Sequence, residues 1–210
     1  MTDPLFKLNL DQFTEKLMSK APIPGGGGTA ALIGALSAAL GAMATNLTIG
    51  KKSFLPYEQE HLCIIAESNL LRLRLLELLD EDAAAFEPLS RVYSQDKNSP
   101  GYAEQLEAAT LNACRPPYEM MECCCRLISL LENLRGKCSI LLLSDVGCAA
   151  LAARCALESA SMNVFVNTRM LPGSTDAEAL RVDAQAMLEE YLPRAQAVAD
   201  SVMVYLKTPK

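Results

Sequence analysis

The chain has no tryptophan, a single histidine, and aromatic residues at only 5% of its 210 positions. A core without large rings must be built from small or pliable side chains, and Ala, Leu, Met and Cys supply it here. Metal chemistry also lacks its signature: no two of the eight cysteines stand at CxxC spacing, and His61 has no second histidine to join it. Cys123, Cys124 and Cys125 are consecutive, so on a helix they point in different directions. They read as reduced thiols used as small buried hydrophobes, with no metal site. His61 follows a charged patch, reads as a surface residue and is assigned no role. Residues 1–20 carry Asp3, Lys7, Asp11, Glu15, Lys16 and Lys20, unlike a signal peptide, and a cytoplasmic protein is expected. An excess of positive charge is missing as well. The net charge of −6 argues against a general partner in nucleic acid or an anionic membrane.

Between Lys20 and Lys51 there is no charge at all. At about 1.5 Å per residue such a helix could cross a bilayer. Its content points elsewhere: it is mostly Ala and Gly, with Ser37, Thr45, Asn46 and Thr48, and four glycines stand before it. Small residues at Gly34, Ala38, Gly41, Ala42 and Thr45 allow close approach on more than one side. The expectation is a central helix buried in a soluble protein.

No convincing period-two strand pattern occurs. Helices are predicted over Leu8–Ser19, amphipathic with Leu10, Phe13, Leu17 and Met18 on one side, and from Thr29, as cap, to about Gly50. Others are predicted over Tyr57–Leu89, Tyr102–Asn112, Pro116–Leu134, Ser139–Asn167 and Asp176–Leu206, with 93–101 as a loop. Pro116-Pro117 is read as the first turn of a new helix. The fold class is all-α, a single-domain up-and-down bundle over residues 1–210.

Four features carry chemical interest. Pro22-Ile23-Pro24 and Gly25, Gly26, Gly27 and Gly28, followed by Thr29, open a helix. Exposed amides and the helix start suit an anion or a polar ring there; a flexible turn is the plainer reading. The pattern is not a P-loop, since GxxxxGK[ST] spacing is absent. Asp82 falls on the seam of Leu71, Leu75, Leu78, Ala85 and Leu89. A carboxylate on that seam is partnered or raised in pKa, unless the helix turns locally and exposes it. Lys51 and Lys52 end the uncharged helix, where they satisfy its dipole or hold carboxylates of an acidic ligand. Ser144-Asp145 is either a helix cap or part of a site, and Asn163 and Asn167, four apart, face one way and could read a heteroaromatic ring.

Pro22-Ile-Pro-Gly-Gly-Gly-Gly-Thr-Ala-Ala through Asn46-Leu-Thr-Ile-Gly-Lys-Lys52 resembles the P-x-P-G-G-G-[SG] … N-L-T-x-G-[KR]-[KR] double motif of the cyclodeaminase/cyclohydrolase family. Asp82-Ala-Ala-Ala-Phe86, Ser144-Asp145-Val-Gly-x-Ala-Ala and Asn163-x-x-x-Asn167 resemble further family elements, so the likeness covers nearly the whole chain. It implies an all-α homodimer with a tetrahydrofolate pocket and no cofactor beyond the folate substrate. The implied reactions are hydrolysis of 5,10-methenyltetrahydrofolate and cyclisation of 5-formiminotetrahydrofolate with loss of ammonia. Asp82 becomes the expected proton shuttle, with Asp145 as partner or second choice. Gly25 to Thr29 would shape the pocket. Lys51, Lys52 and Lys97 would attract the folate carboxylates, and Asn163 and Asn167 would bond the pterin. Two positions depart from the family pattern. Ser94-Gln95-Asp96-Lys97 replaces a Leu-Pro-Lys, and Phe165 stands where many members have Arg. These departures keep a second reading open, a non-catalytic folate-binding or assembly member.

Overall fold

The computed structural model describes residues 4–209. Six α-helices follow one another: α1 Leu10–Met18, α2 Gly26–Asn46, α3 Glu58–Tyr93, α4 Tyr102–Leu134, α5 Leu143–Thr168 and α6 Thr175–Lys207, with short 3-10 turns at Leu5–Lys7, Lys52–Tyr57 and Ile140–Leu142. Among the described residues there is no strand, as the missing period-two pattern predicts.

Helices α2 and α5 pack against each other at the centre; α3 covers α2, α6 covers α5, and α4 closes the far side against both flanks. The centre is close-packed because glycine and alanine line it. A methyl on Gly34 would lie 3.1 Å from Leu75 and 3.5 Å from Ala156, and one on Gly41 would lie 2.9 Å from Leu131. Helices α2 and α5 run antiparallel: Gly26 sits beside Asn163, Gly34 beside Ala156, and the Ser37 hydroxyl donates to the Ala149 carbonyl at 2.7 Å. Leu71, Leu75, Leu78, Ala85 and Leu89 are all buried, as their spacing predicts.

Several boundaries differ from those expected, each for a local reason. Asn9 caps α1 with a reciprocal Gln12 bond, and only Phe13 of its apolar residues is buried, leaving Leu10 and Met18 exposed. Thr29 is not the cap of α2. The helix starts at Gly26, and the Thr29 hydroxyl donates back to the Gly25 carbonyl at 2.9 Å. Tyr102–Asn112 and Pro116–Leu134 form one helix, with both prolines buried inside it. Neither Ser144 nor Asp145 caps α5, whose N-cap position is Leu142; Asp145 occupies the first turn, where its charge suits the helix dipole. His61 is fully buried, and its Nε2 lies 2.7 Å from the Lys137 carbonyl, tying α3 to the segment before α5. A lone imidazole beside a charged patch gives no sequence sign of such a carbonyl 76 residues away.

The cysteines divide. All eight are free, Cys63, Cys148 and Cys155 are exposed, and the rest are buried. Burial pushes the Cys123 thiol up to about 11 and Cys125 to about 12, so these stay protonated and inert. Two helical stretches, Gly26–Asn46 and Ile140–Thr168, are long and apolar enough to span a membrane. In the first, 56% of the apolar window is buried inside the bundle.

Candidate active site

The first turn of α2 is the centre of the site. Gly25 holds the N-cap position, with Gly26, Gly27 and Gly28 as the first three helical residues. Their amides have no partner within the helix, which makes this end an attractor for negative charge. Asp82, from α3, occupies it. A methyl placed on Gly27 would lie 2.4 Å from Asp82 Oδ2 and 2.5 Å from Oδ1, so the carboxylate rests directly on the glycine backbone. On the other flank, a methyl on Gly26 would lie 3.5 Å from the Asn163 carboxamide. Asn163 donates its Nδ2 to the Ser159 carbonyl at 2.9 Å, which fixes the amide and leaves Oδ1 free as an acceptor.

Asp82 is half-buried on the apolar seam of α3, and its pKa is pushed from the ordinary 3.8 up to about 6. Burial is the dominant cause; the Gly28 backbone amide, which stabilises the ionised form, works against it. The result is a carboxyl group that can hold or release a proton near neutral pH, which is what general acid–base chemistry needs. Both alternatives of the sequence reading therefore apply in part, since Asp82 is raised in pKa and also partnered by a backbone amide. Sequence pattern pointed to the glycines as a group. It could not single out Gly27 as the residue on which the carboxylate rests, because that needs the register of α2 against α3.

The other expected site residues fall elsewhere. Lys51 and Lys52 are exposed beyond the far end of α2, 21 residues long and so about 30 Å from the glycines. Asp145 starts α5 at that same far end, on the α5 face that also carries Ala149, Ala156 and Asn163. Within one chain, then, Lys51, Lys52 and Asp145 lie toward the end of α2 opposite Asp82. Lys97 is exposed in the turn between α3 and α4, beyond Asp82 on the same side of the bundle. Asn167 shares its α5 face with Asn163, but its Nδ2 donates to the Ala113 carbonyl at 3.2 Å. Leu5, Lys16, Ile23, Asp80, Ala83 and Glu87 border an open cavity of about 450 Å³ beside Asp82's stretch of α3. Lys16 is a cation at this end that spacing arguments did not bring forward. Among the described residues no cluster suited to a metal ion occurs.

Gly27→Ala tests this geometry. Alanine is the better helix former by about 1 kcal/mol, so an open site would gain stability. With the carboxylate in the way, the expected result is a loss of thermal stability. In an Asp82→Ala background the same change is expected to be neutral or stabilising, a reversal of sign that calorimetry reads directly.

Fold and site together define an all-helical bundle protein that holds a near-neutral carboxylate against a glycine-lined helix start. Comparison with known proteins places that arrangement. The family model described as formiminotransferase-cyclodeaminase matches residues 9–186. A methenyltetrahydrofolate cyclohydrolase of Methylorubrum extorquens is 34% identical over 185 residues, covering 86% of this chain and 89% of that protein. The formimidoyltransferase-cyclodeaminase of Rattus norvegicus is 26% identical over 202 residues, 94% of this chain but only 37% of the larger protein. The crystal structure of formiminotetrahydrofolate cyclodeaminase from Thermotoga maritima superposes with a TM-score of 0.83, at 24% identity, over 94% of this chain and 98% of that one, so the fold is shared. The chain belongs to the formiminotransferase-cyclodeaminase family.

Proposed function

We propose that this chain is an enzyme of folate one-carbon metabolism that hydrolyses 5,10-methenyltetrahydrofolate to 10-formyltetrahydrofolate. The observation that carries this reading is the Asp82 carboxyl, raised to about 6 against the Gly27 backbone. The 34% likeness to a methenyltetrahydrofolate cyclohydrolase over 89% of its length favours hydrolysis over the sister reaction. In that reaction water adds to the cationic carbon between N5 and N10. Its proton passes to Asp82 as the C–O bond forms. Asp82 then returns a proton to N5 while the C–N5 bond breaks and the hydroxyl proton leaves, so one proton is released overall. A group with a pKa near neutrality serves both transfers. The Asn163 Oδ1 is a fixed acceptor for a pterin N–H, and the departures at Ser94–Lys97 and Phe165 lie outside the contacts Asp82 makes.

The second reading, cyclisation of 5-formiminotetrahydrofolate with release of ammonia, uses the same carbon and the same proton shuttle; likeness to the rat enzyme supports it. Enzyme-dependent loss of the methenyl absorbance band is the direct test of the first. No loss, with ammonia released from 5-formiminotetrahydrofolate, selects the second. Tight folate binding without either change selects the non-catalytic reading.

The same proposal includes a cytoplasmic homodimer. The outward sides of α2 and α5 are uncovered: Leu36, Leu47, Leu151, Met162 and Val166 are each about half exposed or more, and α2 carries no charged residue. A two-fold axis perpendicular to these helices sets α2 antiparallel to its copy. It thereby carries the end of one copy that holds Lys51, Lys52 and Asp145 toward the Asp82 and Gly25–Gly28 site of the other. The single-chain separation of about 30 Å is what motivates this arrangement.

A further inference from the structure

Past the level of Asp82, the end of α3 and the start of α4 continue as a hairpin with its own small core of Leu89, Val92, Ala109 and Ala113, joined by Tyr102 and Leu106 and distinct from the main core. Proline stands in both helices near the base of this hairpin: Pro88 in α3, and Pro116 and Pro117 in α4. Each proline lacks the N–H that would bond the carbonyl four residues earlier. The three carbonyls so released belong to Ala84, Asn112 and Ala113. Ala84 and Asn112 are exposed, so water can serve them. Ala113 is 5% exposed, and its carbonyl is the one that receives the Asn167 side chain, at 3.2 Å. A buried carbonyl without a partner is costly, and the Asn167 amide takes the place of the missing Pro117 N–H. Asn167 stands one turn beyond Asn163, which lies against Gly26 in the site.

We propose that Asn167 is a positioning residue: it latches the α3–α4 hairpin to α5 at the backbone gap left by Pro117, and so fixes the wall beside the Asp82 carboxylate. This assigns its amide to the protein backbone and not to the pterin. The activity half of the test rests on the proposed cyclohydrolase reading; the structural half does not.

The experiment is a double-mutant cycle of Asn167→Leu and Pro117→Ala in the full-length protein. Alanine at 117 restores the N–H that can bond the Ala113 carbonyl, so it should make the Asn167 amide dispensable. Asn167→Leu alone is expected to lower the melting temperature and to speed amide exchange in 83–93 and 102–113 above the rest of the chain. Turnover of 5,10-methenyltetrahydrofolate should fall about tenfold in kcat with KM within about twofold, since small misplacements of a catalytic group act on the chemical step. With Pro117→Ala present, each effect should shrink to a third or less. Equal losses in both backgrounds, or a rise in KM with exchange unchanged, would mean that Asn167 meets the substrate directly, and would overturn the proposal. If the wild-type protein turns over no folate, the melting and exchange cycle alone decides. Asn167→Ala serves the same cycle should the leucine variant fail to fold.

Discussion

Asp82→Asn is expected to lose turnover by about 10²–10⁴-fold while gaining stability at pH 8. Asparagine keeps the shape and can still accept the Gly28 amide, so the loss in rate belongs to the proton and not to packing. The stability gain follows from linkage. The folded protein holds the Asp82 proton up to about pH 6, whereas an ordinary carboxyl releases it near 3.8. Between those values the folded state binds more protons than the unfolded state, so wild-type stability falls as pH rises through that window and stays reduced above it. A pKa difference of that size corresponds to up to about 3 kcal/mol, and partial solvation reduces this to roughly 1–2 kcal/mol. For a chain of this length that is about 2–8 °C in melting temperature at pH 8, shrinking toward zero near pH 4. Melting curves of both proteins at pH 4, 6 and 8, beside methenyl turnover, check the two halves together. An Asn variant with full turnover removes Asp82 from the chemistry. A variant no more stable at pH 8 than wild type shows the carboxylate to be well solvated.

The trade between stability and chemistry explains what the sequence made legible. Asp82 stood out because it interrupts Leu71, Leu75, Leu78, Ala85 and Leu89, and a local rule broken on a core face is where function tends to sit. The all-helical class was equally readable, since period and composition agree along the whole chain. Three things were not. The start of α2 at Gly26 defeats propensity, because glycine is a poor helix former; contacts with Asp82 and Asn163 from α3 and α5 override that preference. The continuity of α4 through Pro116 and Pro117 leaves the Ala113 carbonyl to the Asn167 amide, 54 residues further along the chain. And motif order along the chain says nothing about distance: Gly25–Gly28 and Lys51–Lys52 read as one double motif, yet a straight helix of 21 residues holds them at opposite ends.

If that double motif is one site in the working enzyme, two chains must build it, and mixing two differently impaired variants should restore activity. Asp82→Asn removes the proton shuttle from one chain. Lys51→Ala with Lys52→Ala removes the cationic cluster and is expected to raise KM for the folate several-fold or more, leaving kcat nearly intact. In a mixed dimer one of the two composite sites carries both defects. The other has an intact Asp82 from one chain and intact lysines from its partner. Random pairing at equal concentration makes half the dimers mixed, each with one whole site, so about a quarter of wild-type kcat/KM should appear at substrate levels well below KM. That exceeds what the lysine variant diluted twofold can supply once its KM defect reaches tenfold. A site confined to one chain gives no gain on mixing, because neither chain then holds Asp82 and the lysines together. The readout needs exchange of subunits, which brief partial denaturation and refolding of the mixture provides. Leu36→Glu supplies the control: a charge in the uncharged α2 face should yield monomers and abolish the recovery, while Asp82 and its glycine seat stay in place within each chain. The signal therefore reports contact between copies across α2 and α5, and not folding of either one.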